Sequence, residues 1–138
     1  MVTECPVLQE TTILAADDDP SVRTFLETAL RAEGRRVLTV SDGQQAVATV
    51  SSQKVDVVLL DLMMPGLSGL EALERLLQAD AALVVIVLTG YGAVNTAREA
   101  MRLGAYDYVT KPFDISFLEE VITDSLSLRQ EIALGGEQ

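Results

Sequence analysis

The chain contains no histidine and no tryptophan, a single cysteine, and 10 basic residues against 21 acidic ones. Without histidine there is no His-dependent nucleophilic triad, no His–Cys zinc site and no imidazole to serve as acid or base near neutral pH. Cys5 has no disulfide partner within the chain and sits in an N-terminal stretch without regular pattern, so it reads as an inert thiol. A net charge of −11 leaves no basic stripe to neutralise phosphates, which argues against direct nucleic-acid binding by this segment. Long apolar runs are missing too. The longest, LVVIVL from Leu83, is far short of a bilayer span, and no basic-then-apolar signal opens the chain. The expectation is a soluble cytoplasmic protein, with no membrane contact, whose chemistry is run by carboxylates, a hydroxyl and amines.

With 138 residues and 49% hydrophobic content, one core and one domain are expected. Five short β-branched or apolar segments read as strands: TTILAA from Thr11, RVLTV from Arg36, VDVVLL from Val55, LVVIVL from Leu83 and YDYVT from Tyr106. Helical patterns lie between them. Val22, Phe25, Leu26, Ala29 and Leu30 repeat at three-to-four spacing before Gly34, which is expected as the C-cap. Further helices are predicted for DGQQAVATVSS from Asp42, GLEALERLLQA from Gly69, AVNTAREAMRLG from Ala93 and Ser116 through Leu128, the last with Leu118, Val121, Ile122 and Ser125 on one face. In the fourth, Ala93, Ala97, Ala100 and Met101 form a thin apolar face. Strict βα alternation with near-continuously apolar strands predicts an α/β fold, a parallel sheet with helices on both faces. The expected organisation is an N-terminal extension over 1–11, one domain over 12–130, and a tail or the start of a linker over 131–138.

In such a sheet all strand C-termini open on one edge, where ligands bind. Strand one ends in Asp17, Asp18 and Asp19; strand three in Asp61; strand four in Thr89; strand five in Thr110 and Lys111. Asp19 before Pro20 has the pattern of a helix N-cap with Pro at the first helical position. Asp17 and Asp18 are left as loop carboxylates or as metal ligands. Asp61 interrupts VVLLDLMMP, where a carboxylate loses solvation unless a cation compensates. Thr89 suits a strand end as readily as a reactive site, and Lys111 before Pro112 could be a surface lysine. Taken together, three acids on one edge call for cations, and a lysine plus a hard divalent metal answers them. Mg²⁺ fits best, because it takes oxygen ligands, keeps waters and accompanies phosphate.

These residues also carry a family resemblance: ILAADDDP, DVVLLDLMMPGLSG, VIVLTGYG and GAYDYVTKPFD resemble the receiver domain of two-component response regulators, over roughly residues 12 to 128. The resemblance implies a five-stranded flavodoxin-like parallel sheet of order 2-1-3-4-5. It makes Asp61 the phospho-acceptor, Asp18 a direct Mg²⁺ ligand, Asp17 a ligand through water and the Met63 backbone carbonyl the remaining protein ligand. Thr89 and Lys111 would each meet a phosphoryl oxygen, Tyr108 would turn inward as Thr89 moves, and the Lys111–Pro112 bond would be cis. The donor would be a sensor histidine kinase or phosphotransfer protein, since the chain has no histidine of its own. The output would be a population shift at the surface of helix 4, strand 5 and helix 5, through which a homodimer or an effector domain or protein would respond. The chain would thus be a signalling switch that catalyses only its own phosphorylation and dephosphorylation.

Two positions tune this expectation. The resemblance puts polar or acidic side chains at the places of Met63 and Tyr91, where they help place a hydrolytic water; the residues found there imply a long-lived acyl phosphate. The TGYG and GAYDYVTKPF wording resembles regulators that control transcription through an attached ATPase domain. A nucleotide-binding enzyme is the rival class, resting on Gly90, Tyr91 and Gly92, but the third glycine of G-x-G-x-x-G is replaced by Asn95 and no P-loop exists. A receiver that only binds partners is the other rival, and the full set of Asp17, Asp18, Asp61, Thr89 and Lys111 speaks against it.

Overall fold

The computed structural model describes residues 11–32, 34–64, 66–90 and 94–135, with backbone alone at 94 and 129–135. Ten elements alternate: β1 (Thr12–Ala16), α1 (Pro20–Arg31), β2 (Arg36–Val40), α2 (Gly43–Ser52), β3 (Val57–Asp61), α3 (Gly69–Ala79), β4 (Val84–Thr89), α4 (Val94–Leu103), β5 (Asp107–Thr110) and α5 (Ile115–Gly135). All strand pairs are parallel and the order is β2-β1-β3-β4-β5. Every residue of β1, β3 and β4 is buried, as expected of strands covered on both faces, whereas the edge strands β2 and β5 are partly open.

Side chains alternate across the sheet and so divide the core in two. Leu14, Val58, Leu60, Val85 and Val87 meet α2, α3 and α4 through Ala46, Ala72, Leu73, Leu76 and Ala100. Ile13, Leu59, Ile86 and Leu88 meet α1 and α5 through Leu26, Leu30, Leu118 and Ile122. The α5 face expected from spacing is the buried one, including Ser125, whose hydroxyl donates to the Ile122 carbonyl at 2.7 Å. Arg35 in the α1–β2 turn pairs with Glu119 and ties α5 to that side of the molecule.

Two expectations need correction, and one residue of the first helical stripe lies off the core. Gly34 is not the C-cap of the first helix; Ala32 is, in αR geometry, and Gly34 follows with φ 85°, donating its N–H to the Arg31 carbonyl at 2.9 Å. Phe25 does not enter the core: it is 47% exposed and meets Phe113, ring centres 6.2 Å apart. In α4, Ala97 and Ala100 are buried but Met101 is exposed, because one residue further turns the side chain about 100° away from the sheet; Leu103 packs on the core in its stead. Ala93 lies outside the described residues, as do Cys5 and all but Thr11 of the N-terminal extension. The helical backbone of α5 runs to Gly135, into the segment expected as tail or linker, and residues 136–138 lie outside the described residues. Among the described residues no helix is long and apolar enough to cross a membrane.

Candidate functional site

Two strand ends bring the acids together, and a third brings the lysine. β1 delivers Asp17, whose N–H still bonds the Val40 carbonyl at 3.2 Å and whose side chain is fully buried. Asp17 Oδ1 accepts the Asp19 N–H at 2.9 Å, tightening the turn, and Asp19 in turn caps α1 by accepting the Ser21 N–H at 2.9 Å with Pro20 at the first position. Asp19 is therefore the structural acid of the three, as its spacing suggested. Asp18 between them is exposed.

β3 ends in Asp61, 4% exposed, whose Oδ1 accepts the Met63 N–H at 2.9 Å. The Met63 side chain is 68% exposed. Just past β5, Lys111 precedes a cis bond to Pro112 and reaches back between the acids, Nζ donating to Asp17 Oδ2 at 2.6 Å and Asp61 Oδ2 at 3.3 Å. The Thr89 carbonyl accepts the Lys111 N–H at 2.7 Å, linking the ends of β4 and β5 beneath the lysine. Thr89 itself is buried at the end of β4. Tyr108 lies on β5 opposite Val87 and is exposed, whereas Thr110 is exposed at the strand end. Tyr91 and Gly92 lie outside the described residues.

One carboxylate oxygen from each of Asp17, Asp18 and Asp61 lies within 4.8 Å of the others. Three carboxylates thus meet one ammonium. Burial, the largest influence, and the Asp17 charge push the Asp61 carboxyl above its ordinary pKa, against the Met63 N–H and Lys111, which pull it down. For Lys111 burial pulls downward, but the hydrogen bond to Asp17 and the charges of Asp61 and Asp17 outweigh it and raise the ammonium above its ordinary value. The lysine stays charged and the acids stay short of positive partners. Three hard oxygen donors converging with a charge deficit suit a small divalent cation of the Mg²⁺ type.

Arg23 belongs to this edge as well, although sequence reasoning gave it no role. One turn into α1, its guanidinium donates to the Asp17 carbonyl at 2.7 Å and satisfies a strand-end acceptor that has left the sheet. The only signal was an arginine following three acids at helical distance. Beside Lys111, a mostly apolar groove of about 440 Å³ runs along Val22, Phe25, Gly90, Pro112 and Phe113.

The comparisons agree with this geometry. Residues 13–123 match the response regulator receiver domain. The probable transcriptional regulatory protein TcrX of Mycobacterium tuberculosis is 41% identical over 83% of this chain and 47% of its own length. Sporulation initiation phosphotransferase F of Bacillus subtilis is 34% identical over 85% of this chain and 94% of its own. The crystal structure of NtrX from Brucella abortus superposes with a TM-score of 0.88 at 29% identity, over 94% of this chain and 29% of that one. The chain spans about half of TcrX and about a quarter of relatives such as the regulatory protein AtoC of Escherichia coli, 25% of its length. A five-stranded parallel sheet in the order 2-1-3-4-5, an acidic cluster around one lysine at its C-terminal edge and the match over residues 13–123 identify the chain as a member of the response regulator receiver domain family, with the phospho-accepting two-component function of that family.

Proposed function

We propose that Asp61 is the residue that accepts the phosphoryl group, in a reaction that depends on Mg²⁺ held by Asp17, Asp18, Asp61 and the Met63 carbonyl. The observation that carries this reading is the convergence of a buried Asp61 with two further acids around the single Lys111 ammonium. Asp61 Oδ1 is already aimed by the Met63 N–H, while Oδ2 faces the lysine. Asp17 has both carboxylate oxygens engaged, by the Asp19 N–H and by Lys111, which supports a role through water; Asp18 is exposed and supports a direct one.

An Asp61 oxygen attacks phosphorus, the bond from phosphorus to the donor's imidazole nitrogen breaks, and the imidazole leaves with a proton. Bound metal would offset charge on the phosphoryl oxygens. Lys111 meets one such oxygen and the Thr89 hydroxyl another, positioning and stabilising in place of covalent machinery. A receiver domain implies a histidine kinase or phosphotransfer partner. Release of Lys111 and Thr89 toward the phosphoryl group would bias the α4–β5–α5 surface, with Tyr108, now exposed, turning inward. A homodimer through that surface, a transcriptional effector and a cytoplasmic location complete the proposal. The effector is supported by relatives described as transcriptional regulators. We take residues 12–130 as the receiver, flanked by an N-terminal extension over 1–11 and a tail or linker start over 131–138.

The test is incubation with acetyl phosphate, with Mg²⁺ or with chelator, followed by intact mass. One added phosphoryl group that needs Mg²⁺ and is lost in Asp61→Asn supports the proposal; equal labelling of the mutant would sink it. The exposed, apolar Met63 leads us to expect slow decay of the acyl phosphate, faster in Met63→Glu, and an unchanged lifetime in that variant would count against it.

A further inference from the structure

Gly69 opens α3, eight residues after Asp61, and its backbone is ordinary: the positive-φ glycines among the described residues are Gly34, Gly66 and Gly104. Conformational freedom is therefore not what calls for glycine here. Space is. A Cβ at Gly69 would stand 2.5 Å from Leu62 Cα, 2.7 Å from the Leu62 carbonyl oxygen and 2.8 Å from Leu62 Cδ2, and two of these three atoms are backbone that cannot rotate away. The Leu62 carbonyl belongs to the same peptide group as the Met63 N–H, and that N–H is the one that holds Asp61 Oδ1 at 2.9 Å. Peptide planes are rigid, so whatever displaces the Leu62 carbonyl tilts the Met63 N–H with it.

We infer that Gly69 is a positioning residue for phosphoryl transfer: its bare backbone lets α3 seat against the Leu62–Met63 peptide, which in turn fixes the Asp61 carboxylate. The seat is pinned from the helix side, where Gly69 is buried and Ser68 caps α3 by accepting the Glu71 N–H at 3.1 Å. The chain from α3 to the acceptor thus runs through one contact and one hydrogen bond. The inference rests on Asp61 being the acceptor.

Gly69→Ala is compared with Gly104→Ala, whose Cβ would meet Leu77 Cδ1 at 2.8 Å at a φ of +116°, on the turn before β5 and so at the sheet edge opposite the site. Three quantities are measured: melting temperature, hydrogen exchange of the Met63 amide in the metal-free protein, and the initial rate of labelling by acetyl phosphate with saturating Mg²⁺. Both variants are expected to lose stability. Gly69→Ala alone should expose the Met63 amide to exchange and slow labelling by on the order of tenfold to a hundredfold, the range for a misplacement of about 1 Å. A folded Gly69→Ala with wild-type amide protection and a rate within about twofold overturns the inference. So does an equal loss of rate in Gly104→Ala, which would assign the effect to stability in general. Should Gly69→Ala not fold, Ser68→Ala loosens the same end of α3 without adding atoms; faster Met63 exchange with slower labelling supports the inference, and no change in either overturns it. Wild-type labelling of Asp61→Asn would instead remove the acceptor reading itself, an outcome distinct from the failure of Gly69.

Discussion

Asp56 and Asp61 stand at the two ends of β3, and their surroundings differ. At the entrance, Asp56 Oδ2 accepts the Thr12 N–H at 2.9 Å while the Asp56 N–H bonds the Thr12 carbonyl at 2.9 Å, and the well-exposed Lys54 ammonium lies 4.0 Å away. That carboxylate closes the start of the β1–β3 ladder. At the exit, Asp61 is buried beside Asp17 and depends on a lysine that Asp17 holds more closely, 2.6 against 3.3 Å. One acid stitches strands together; the other sits among more negative groups than its neighbourhood can answer. A strand-end carboxylate becomes chemically available where charge exceeds the donors at hand, and the opposite ends of β3 let that difference be measured within one molecule.

The two lysines should separate the ends most widely. Lys111→Gln leaves Asp17 and Asp61 buried without their ammonium, and we expect a loss of about 3 kcal/mol in the metal-free protein. Lys54→Gln, with a largely solvated side chain, should change stability by less than about 0.5 kcal/mol. Urea unfolding in chelator-treated buffer checks both, and equal effects would erase the contrast.

Neutralising the acids themselves should give opposite signs. Asp56→Ala deprives the Thr12 N–H of its acceptor and should destabilise by about 1–2 kcal/mol. Asp61→Asn removes one of the crowded negative charges while keeping the shape, and should stabilise the metal-free fold by about 1 kcal/mol. If both variants are destabilised, the charge at the exit is better balanced than the geometry indicates.

Mg²⁺ should then act on one end only. At tenfold excess over its dissociation constant it should stabilise the wild type and Asp56→Ala by about 1.4 kcal/mol, and Asp18→Asn or Asp61→Asn far less, read as shifts in melting temperature. An equal shift in all four would place the metal elsewhere.

The smallest effect concerns pH. Burial first, and then the Asp17 charge, raise the Asp61 carboxyl, so the folded protein binds its proton more readily than the unfolded chain does. Between the ordinary carboxylate value and the raised one the folded state carries more protons, and stability contributed by this group falls as pH rises through that window. Asp61→Asn should flatten this part of the pH–stability curve, and a slope identical to the wild type would contradict the direction.

Much of this was legible in the sequence because it depends on local pattern. Near-continuous apolar runs placed the strands, turn residues placed their ends, and a parallel sheet must bring Asp17, Asp61, Thr89 and Lys111 to one edge. Asp19 was readable as a cap because Pro20 follows it. What stayed hidden depends on contacts between distant segments. Phe25 fits the helical stripe but finds Phe113 at the surface instead of the core, and Met101 sits one position past the buried stripe. Arg23 offers in one dimension only its helical distance from three acids, not that it turns back to the Asp17 carbonyl, and Gly69 gives no sign that it lies against Leu62, since each role is set by how a helix seats on a loop.

The most direct test of Asp61 as acceptor is to locate the modified residue. Protein labelled by acetyl phosphate with Mg²⁺ is reduced with borohydride, which converts an aspartyl phosphate to homoserine, and is then mapped by peptide mass spectrometry. We expect the change at residue 61 alone, absent when the label is omitted or Mg²⁺ is chelated. Homoserine at Asp17, Asp18 or Asp56, or an unreduced label on a hydroxyl such as Thr89, would contradict the assignment.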